Sequence, residues 1–69
     1  MEWVVFDPAH LPPEQQKMVV QFKVGELKGA MAFGMNIDGV FCEYHPDIDR
    51  YVEQEGLWSH VLRYVIIVE

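Results

Sequence analysis

The alternation of side chains between residues 17 and 24 is the feature that most constrains the fold of this sequence. One set of alternate positions is wholly apolar: Met18, Val20, Phe22 and Val24. A period of two residues is that of a β-strand with one buried face. The segment therefore predicts a half-buried strand, and the chain must supply neighbouring strands for its backbone to pair with.

Turns that contain glycine predict that these neighbours are antiparallel. Segment 25–29 has glycine at both ends, as a hairpin loop needs, and residues 30–35 form the return strand. Asp38-Gly39 favours a second tight turn because both residues tolerate positive φ angles. Residues 40–44 then form a third strand of this meander, and the apolar residues 2–6 predict a separate strand near the N-terminus.

Residues 46–55 predict a short helix. Ile48, Tyr51 and Val52 have the i, i+3, i+4 spacing of a helix face, with Pro46 in the first turn and Gly56 past the end. The β-branched run at 65–68 favours a long strand over residues 57–69, buried on both faces near its end. We predict one α+β domain spanning residues 1–69, a mainly antiparallel sheet of four or five strands with one short helix.

The short chain and its acidity limit the classes of function. A domain of 69 residues has a small core, and with one cysteine it forms no internal disulfide. The net charge of −6 disfavours a nucleic-acid partner. The N-terminus has no signal-peptide pattern, and run 65–68 is too short to cross a bilayer. We expect a cytoplasmic protein, in a cell or in an infected host, with no membrane partner.

Cys42 and His45 are the candidate metal ligands, three positions apart. A zinc site needs about four ligands, and the usual paired cysteines are missing. The favoured interpretation is that Cys42 is a small buried apolar residue and His45 a polar residue at the helix start. No oxyanion loop or phosphate-binding glycine motif accompanies them, so we expect neither catalysis nor a cofactor.

An acidic cluster is the stronger indication of function. Five carboxylates lie between residues 43 and 55, opposed only by Arg50. On a helix they would present a face that attracts a basic protein, with an aromatic anchor beside it; a solvated acidic face is the alternative. The predicted partner-binding residues are Asp47, Asp49, Tyr51, Glu53 and Glu55. Trp3 and Trp58 are further candidate anchors, for which packing in the small core is the favoured interpretation.

Small residues mark one face of the second meander strand: Ala30, Ala32 and Gly34. Such a face indicates that something packs closely against it, either a helix or another chain. Formation of a homodimer through this face, or through the apolar C-terminal strand, is therefore an open alternative.

The layout also resembles a family of short domains of unknown function found in phages and prophages. The matching features are Trp3 in the first strand, the Leu11-Pro12 pair, the valine-rich strand with Met18-Val19-Val20, Phe41, and Ser59-His60 near the closing strand. After this histidine, Val61-Leu62 replaces the family's Trp-Pro. The resemblance implies a phage-like origin and a compact β-rich fold, without a known activity.

The predicted function is a non-enzymatic, acidic protein-binding module, a phage or prophage accessory protein that modulates a host protein. Two alternatives stay open. One is a nucleic-acid mimic that inhibits a DNA- or RNA-binding enzyme, and the other is a small metal-binding domain.

Overall fold

The described part of the chain folds into a six-stranded antiparallel sheet. The computed structural model describes residues 2–23 and 29–68. The strands are β1 (Val4–Val5), β2 (Met18–Phe22), β3 (Met31–Ile37), β4 (Val40–His45), β5 (Arg50–Glu53) and β6 (Val61–Ile66). Their order across the sheet is β1-β6-β2-β3-β4-β5, so β1 and β5 are its edges.

The predicted antiparallel sheet is confirmed, with six strands instead of four or five. The tight turn at Asp38-Gly39 is also confirmed, since the φ angles there are 54° and 84°. Most of the predicted hairpin loop 25–29 lies outside the described residues. The predicted tail strand exists as β6, but it is shorter than expected, and a 3-10 helix, Leu57–His60, precedes it. Val68, expected to be buried, is 81% exposed.

The helix predicted over residues 46–55 is wrong. Residues 46–49 form a turn and β5 follows directly. Asp49 has a φ of 51°, a left-handed conformation that a right-handed helix cannot contain. Tyr51 and Val52 pair with Tyr44 and Glu43 of β4 and therefore point to opposite faces of the sheet. Across residues 2–23 and 29–68 the 3-10 helix is the one helical element, so the fold is mainly β.

The core lies on one face of the sheet, which we call the inner face. The alternation in β2 directs Met18, Val20 and Phe22 into it, all at most 5% exposed. Tyr64 of β6 lies opposite Val20 on the same face. Phe6, Leu57 and Trp58 pack against this cluster from outside the central strands.

Trp58 closes the inner face at the β4 side. Its ring stacks on Phe6 with centroids 5.3 Å apart and meets Phe41 edge-on at 5.2 Å. The indole Nε1 donates a hydrogen bond to the Gly39 carbonyl oxygen at 3.1 Å. The predicted packing role of Trp58 is therefore confirmed, because both the apolar ring and its polar nitrogen are engaged.

The small-residue face of β3 meets the chain's own Phe41 at Gly34. Gly34 is buried, and a Cβ atom there would overlap the Cys42 carbonyl oxygen and lie 2.5 Å from the Phe41 ring. Ala32 packs against the same core, whereas Ala30 is exposed. The part of this face that contains Gly34 is thus already occupied within one chain.

Buried Asn36 ties the loop before β2 to the turn between β3 and β4. Its Nδ2 donates to the Pro12 carbonyl oxygen at 2.8 Å, and its Oδ1 accepts from the Gly39 N–H at 2.9 Å. The Gln15 N–H donates to the Asn36 carbonyl oxygen at 2.8 Å. The loop therefore has a fixed position although it contains little regular structure.

Candidate partner-binding site

The face of the sheet opposite the core carries several exposed apolar side chains. On this outer face Val5 is 75% exposed, Met31 60% and Phe33 55%. The strand register places these side chains on the outer face. Phe33 lies opposite Val19, Met31 opposite Gln21 and Val5 opposite Arg63, and these positions alternate with core residues. The described residues form one sheet with a core on one side, so these side chains have no layer above them.

A groove crosses the outer face between β3 and the edge strand β5. Its lining residues are Lys17, Phe33, Tyr44, Asp49 and Tyr51, and it encloses about 420 Å³. Tyr44 and Tyr51 are direct cross-strand partners, with ring centroids 5.2 Å apart and ring planes tilted by 51°. We call it the aromatic groove. Three successive strands each supply one ring to it.

Asp49 is held at the wall of the aromatic groove by two local features. The turn before β5 gives it a φ of 51°, which aspartate tolerates better than most residues. The Tyr44 hydroxyl donates a hydrogen bond to Asp49 Oδ1 at 2.7 Å. This hydrogen bond is the largest cause of a raised pKa at Tyr44, followed by partial desolvation, while the charge of Lys17 acts in the opposite direction.

Tyr44 is expected to lose its proton at higher pH than a tyrosine without such a partner. Because the folded-state pKa exceeds the ordinary value, the hydrogen bond stabilises the fold at neutral pH and is lost as pH rises through the folded pKa. Ultraviolet absorbance of tyrosinate measures the titration. In an Asp49→Asn variant the Tyr44 midpoint should move down towards that of a free phenol, and an unchanged midpoint would contradict this assignment.

The predicted partner-binding residues lie along β5 and its flanking turns, and not on a helix face. Asp49 and Tyr51 line the aromatic groove. Glu53 lies opposite Cys42 at the far end of β5, and Asp47 and Glu55 are exposed in the turns on either side of the strand. The structure thus brings two of the five together and distributes the other three around the edge of the sheet.

Sequence reasoning did not assign Lys17, Phe33 and Tyr44 to the site. The alternation over residues 30–35 placed Phe33 with Met31 and Met35 on the face opposite the small residues, but it did not show which strand would lie beside that face. Tyr44 joins the groove only through its pairing with Tyr51, a contact between strands that a turn separates. The missing information was the register between strands.

Cys42 and His45 cannot share a metal ion in this fold. They are three positions apart in β4, so their side chains point to opposite faces of the strand. Cys42 is 2% exposed, and burial followed by the charges of Glu53 and Asp38 raises the pKa of its thiol. His45 Nε2 lies 3.0 Å from Glu43 Oε1. No cluster of three or more potential metal ligands occurs within the described ranges.

A second polar-aromatic contact lies at the other end of the outer face. The Arg63 guanidinium carbon is 4.3 Å from the centroid of the Trp3 ring, and Arg63 Nε donates to Gln21 Oε1 at 2.7 Å. Trp3 is 38% exposed. The predicted core packing is therefore wrong for Trp3, which contacts Arg63 at the sheet surface, whereas Trp58 packs against the core.

The features that carry the phage-domain resemblance are spread over the fold. Trp3 precedes the edge strand β1, Leu11-Pro12 belongs to the loop that Asn36 holds, and Ser59-His60 end the 3-10 helix.

No helix in the described segments is long and apolar enough to cross a membrane. Comparisons of the chain with family models, with curated proteins and with solved structures found no match.

Proposed function

We propose that this chain is a non-enzymatic protein-binding module that engages a basic partner through the aromatic groove and the acidic residues around β5. The observation that carries the proposal is the coincidence of exposed aromatic rings and carboxylates at one edge of the sheet. On the resemblance of its sequence, we further propose that it acts as a phage or prophage accessory protein on a host protein.

The aromatic groove has the composition of a binding hot spot. Tyrosine and other large aromatic residues dominate such sites because they bury much area at a small cost in conformational entropy. Phe33 is 55% exposed, and Tyr44 and Tyr51 are half-buried. Since the apolar rings lie on a sheet face with polar groups around them, a partner would gain by covering them.

The charge around the groove favours a basic partner. Four carboxylates lie in β5 and its flanking turns, Asp47, Asp49, Glu53 and Glu55, against Arg50 and the groove residue Lys17. The whole chain has a net charge of −6. Such a field speeds the approach of a cationic surface and repels an anionic one.

Charge reversal around β5 is expected to weaken binding to a basic partner. The variants are Asp47→Lys, Glu53→Lys and Glu55→Lys, each of which replaces attraction by repulsion at the β5 edge of the sheet. We expect each to reduce affinity by about three- to tenfold, mainly through slower association. Partners are captured from host-cell lysate, identified by mass spectrometry, and then titrated in purified form at low and high salt.

Glu2→Lys is the matched control because it changes the net charge equally. Glu2 is exposed and precedes β1, the edge of the sheet opposite β5. This control should bind the partner as the parent chain does. Equal loss in Glu2→Lys and in the β5 variants would show that net charge alone matters, and binding that neither reversal nor salt affects would contradict the proposed site.

The same purified partner distinguishes the nucleic-acid mimic from a general protein-binding module. A mimic competes with the partner's nucleic acid for one surface, so added nucleic acid would displace the chain. The proposed module binds at a surface of its own. Displacement at stoichiometric nucleic acid would favour the mimic.

A further inference from the structure

We infer that the aromatic groove receives an arginine side chain of the partner, with its guanidinium group against the tyrosine rings and beside the Asp49 carboxylate. This inference rests on the proposed function and names the chemistry recognised by its central site.

The rings provide the stacking surface. Tyr44 and Tyr51 are tilted by 51° with centroids 5.2 Å apart, and Phe33 of β3 adds a third wall. The faces of aromatic rings attract cations through their quadrupole, and the flat guanidinium group stacks on them better than a compact ammonium group does. A planar cation is thus the ligand that this set of walls favours.

Asp49 provides the countercharge. Its carboxylate lines the same groove and is fixed by the Tyr44 hydroxyl through Oδ1 at 2.7 Å. A carboxylate and a guanidinium group form a strong, geometrically specific pair. Because Tyr44 both supplies a ring and orients Asp49, stacking and charge recognition are coupled in one pair of residues.

The groove is large enough to hold one arginine side chain. Its volume of about 420 Å³ is near the lower end of the roughly 300–1,000 Å³ that small-ligand sites span. It lies open on the sheet face, so a side chain that projects from a folded partner could enter while the partner's backbone stays outside. The acidic residues around β5 would then contact further cations of the same partner.

The chain already places one cation against an aromatic ring on this face and a second cation in the groove. Arg63 lies 4.3 Å from the Trp3 ring centroid, which shows the proposed type of contact within the molecule. Lys17 lines the aromatic groove, and its charge acts on Tyr44. We therefore expect Lys17 to compete with an incoming arginine for the same rings and carboxylate.

The test uses N-acetyl-arginine amide as the probe and its neutral isostere N-acetyl-citrulline amide as the matched control. Binding to the full chain is followed by NMR of the aromatic side chains. The expected result is a saturable shift of Phe33, Tyr44 and Tyr51 resonances with a millimolar dissociation constant. The citrulline compound should bind at least fivefold more weakly, because it keeps the shape and loses the charge.

Variants localise the probe. Tyr51→Phe should retain binding and Tyr51→Leu should weaken it at least threefold, with a folded NMR spectrum required of both. Trp3→Leu removes an aromatic ring from the outer face away from the groove and should leave binding unchanged. Lys17→Gln should tighten binding about twofold or more, as expected when a competing internal cation is removed.

Equal affinity for the arginine and citrulline probes would overturn the inference, and so would shifts that map to Trp3 instead of the groove. Tighter binding of N-acetyl-lysine amide than of the arginine probe would also overturn the guanidinium preference. The experiments distinguish failure of the arginine inference from failure of the proposed protein-binding function. If the β5 charge reversals weaken partner binding while the probe does not bind the groove, protein binding stands and arginine recognition does not.

Discussion

Replacement of Gly34 by alanine is expected to destabilise the fold by about 2–3 kcal/mol, the upper part of the range for overpacked cores. The added Cβ would overlap the Cys42 carbonyl oxygen and lie 2.5 Å from the Phe41 ring. The carbonyl belongs to the neighbouring strand β4, so it can move away only if the pairing of β3 with β4 is distorted. Urea unfolding followed by tryptophan fluorescence measures the change.

The loss would be a large share of the total stability. Domains have roughly 0.05–0.15 kcal/mol per residue, and this chain has 69 residues, so Gly34→Ala should leave a visibly unfolded fraction on mild heating. A double variant, Gly34→Ala with Phe41→Leu, separates the contact with the Phe41 ring from the contact with the Cys42 carbonyl oxygen. In the double variant the smaller side chain relieves the ring contact and leaves the carbonyl contact, so only part of the loss should be recovered. A Gly34→Ala variant within 0.5 kcal/mol of the parent chain would contradict this packing.

The strands that local pattern could reveal were predicted well. In β2 the alternation is strict, and each apolar position the structure describes on its inner face is buried. Asp38-Gly39 specifies its own turn because few other residue pairs accept two positive φ angles. These features depend on interactions within a few residues, which a sequence displays directly.

The missed element shows where local pattern is insufficient. Ile48, Tyr51 and Val52 have helical spacing, but three apolar residues in a short segment fit either period. Pairing with β4 decided the outcome, because it provides the Tyr44–Tyr51 contact and the Tyr44–Asp49 hydrogen bond. The helix interpretation left β4 without a neighbour on the side where β5 pairs with it. Tertiary pairing therefore overrode the local preference for a helix.

Two residues of the aromatic groove were predicted from the sequence, but the reason for choosing them differs from the reason that they lie together in the structure. Asp49 and Tyr51 were chosen as members of a helix face, and they lie together because alternate residues entering a strand share one of its faces. Phe33 and Tyr44 come from other strands, and only the register of the sheet brings them to the same groove. A surface assembled from three strands therefore cannot be inferred from any one segment.

Replacement of Asn36 by alanine is expected to cost about 3 kcal/mol, the sum of two hydrogen bonds and of a buried acceptor left unsatisfied. Asn36 is 2% exposed, and its amide bridges the Pro12 carbonyl and the Gly39 N–H. The methyl group of alanine reaches neither. Because the loop before β2 depends on this bridge, protection of its amides from hydrogen exchange should also fall, which distinguishes the loss from a general change in stability.

Asn36→Asp is the sharper test because it preserves the shape of the side chain. The introduced carboxylate can still accept from the Gly39 N–H, but at neutral pH it places a negative charge against the Pro12 carbonyl oxygen. Burial favours the protonated acid and raises its pKa in the folded state above the unfolded value. The folded state then binds more protons, so this variant should regain stability as pH falls, relative to the parent chain. Urea unfolding at neutral and mildly acidic pH measures the difference. A gap between Asn36→Asp and the parent chain that stays constant over this range would contradict the burial of position 36 against the Pro12 carbonyl oxygen.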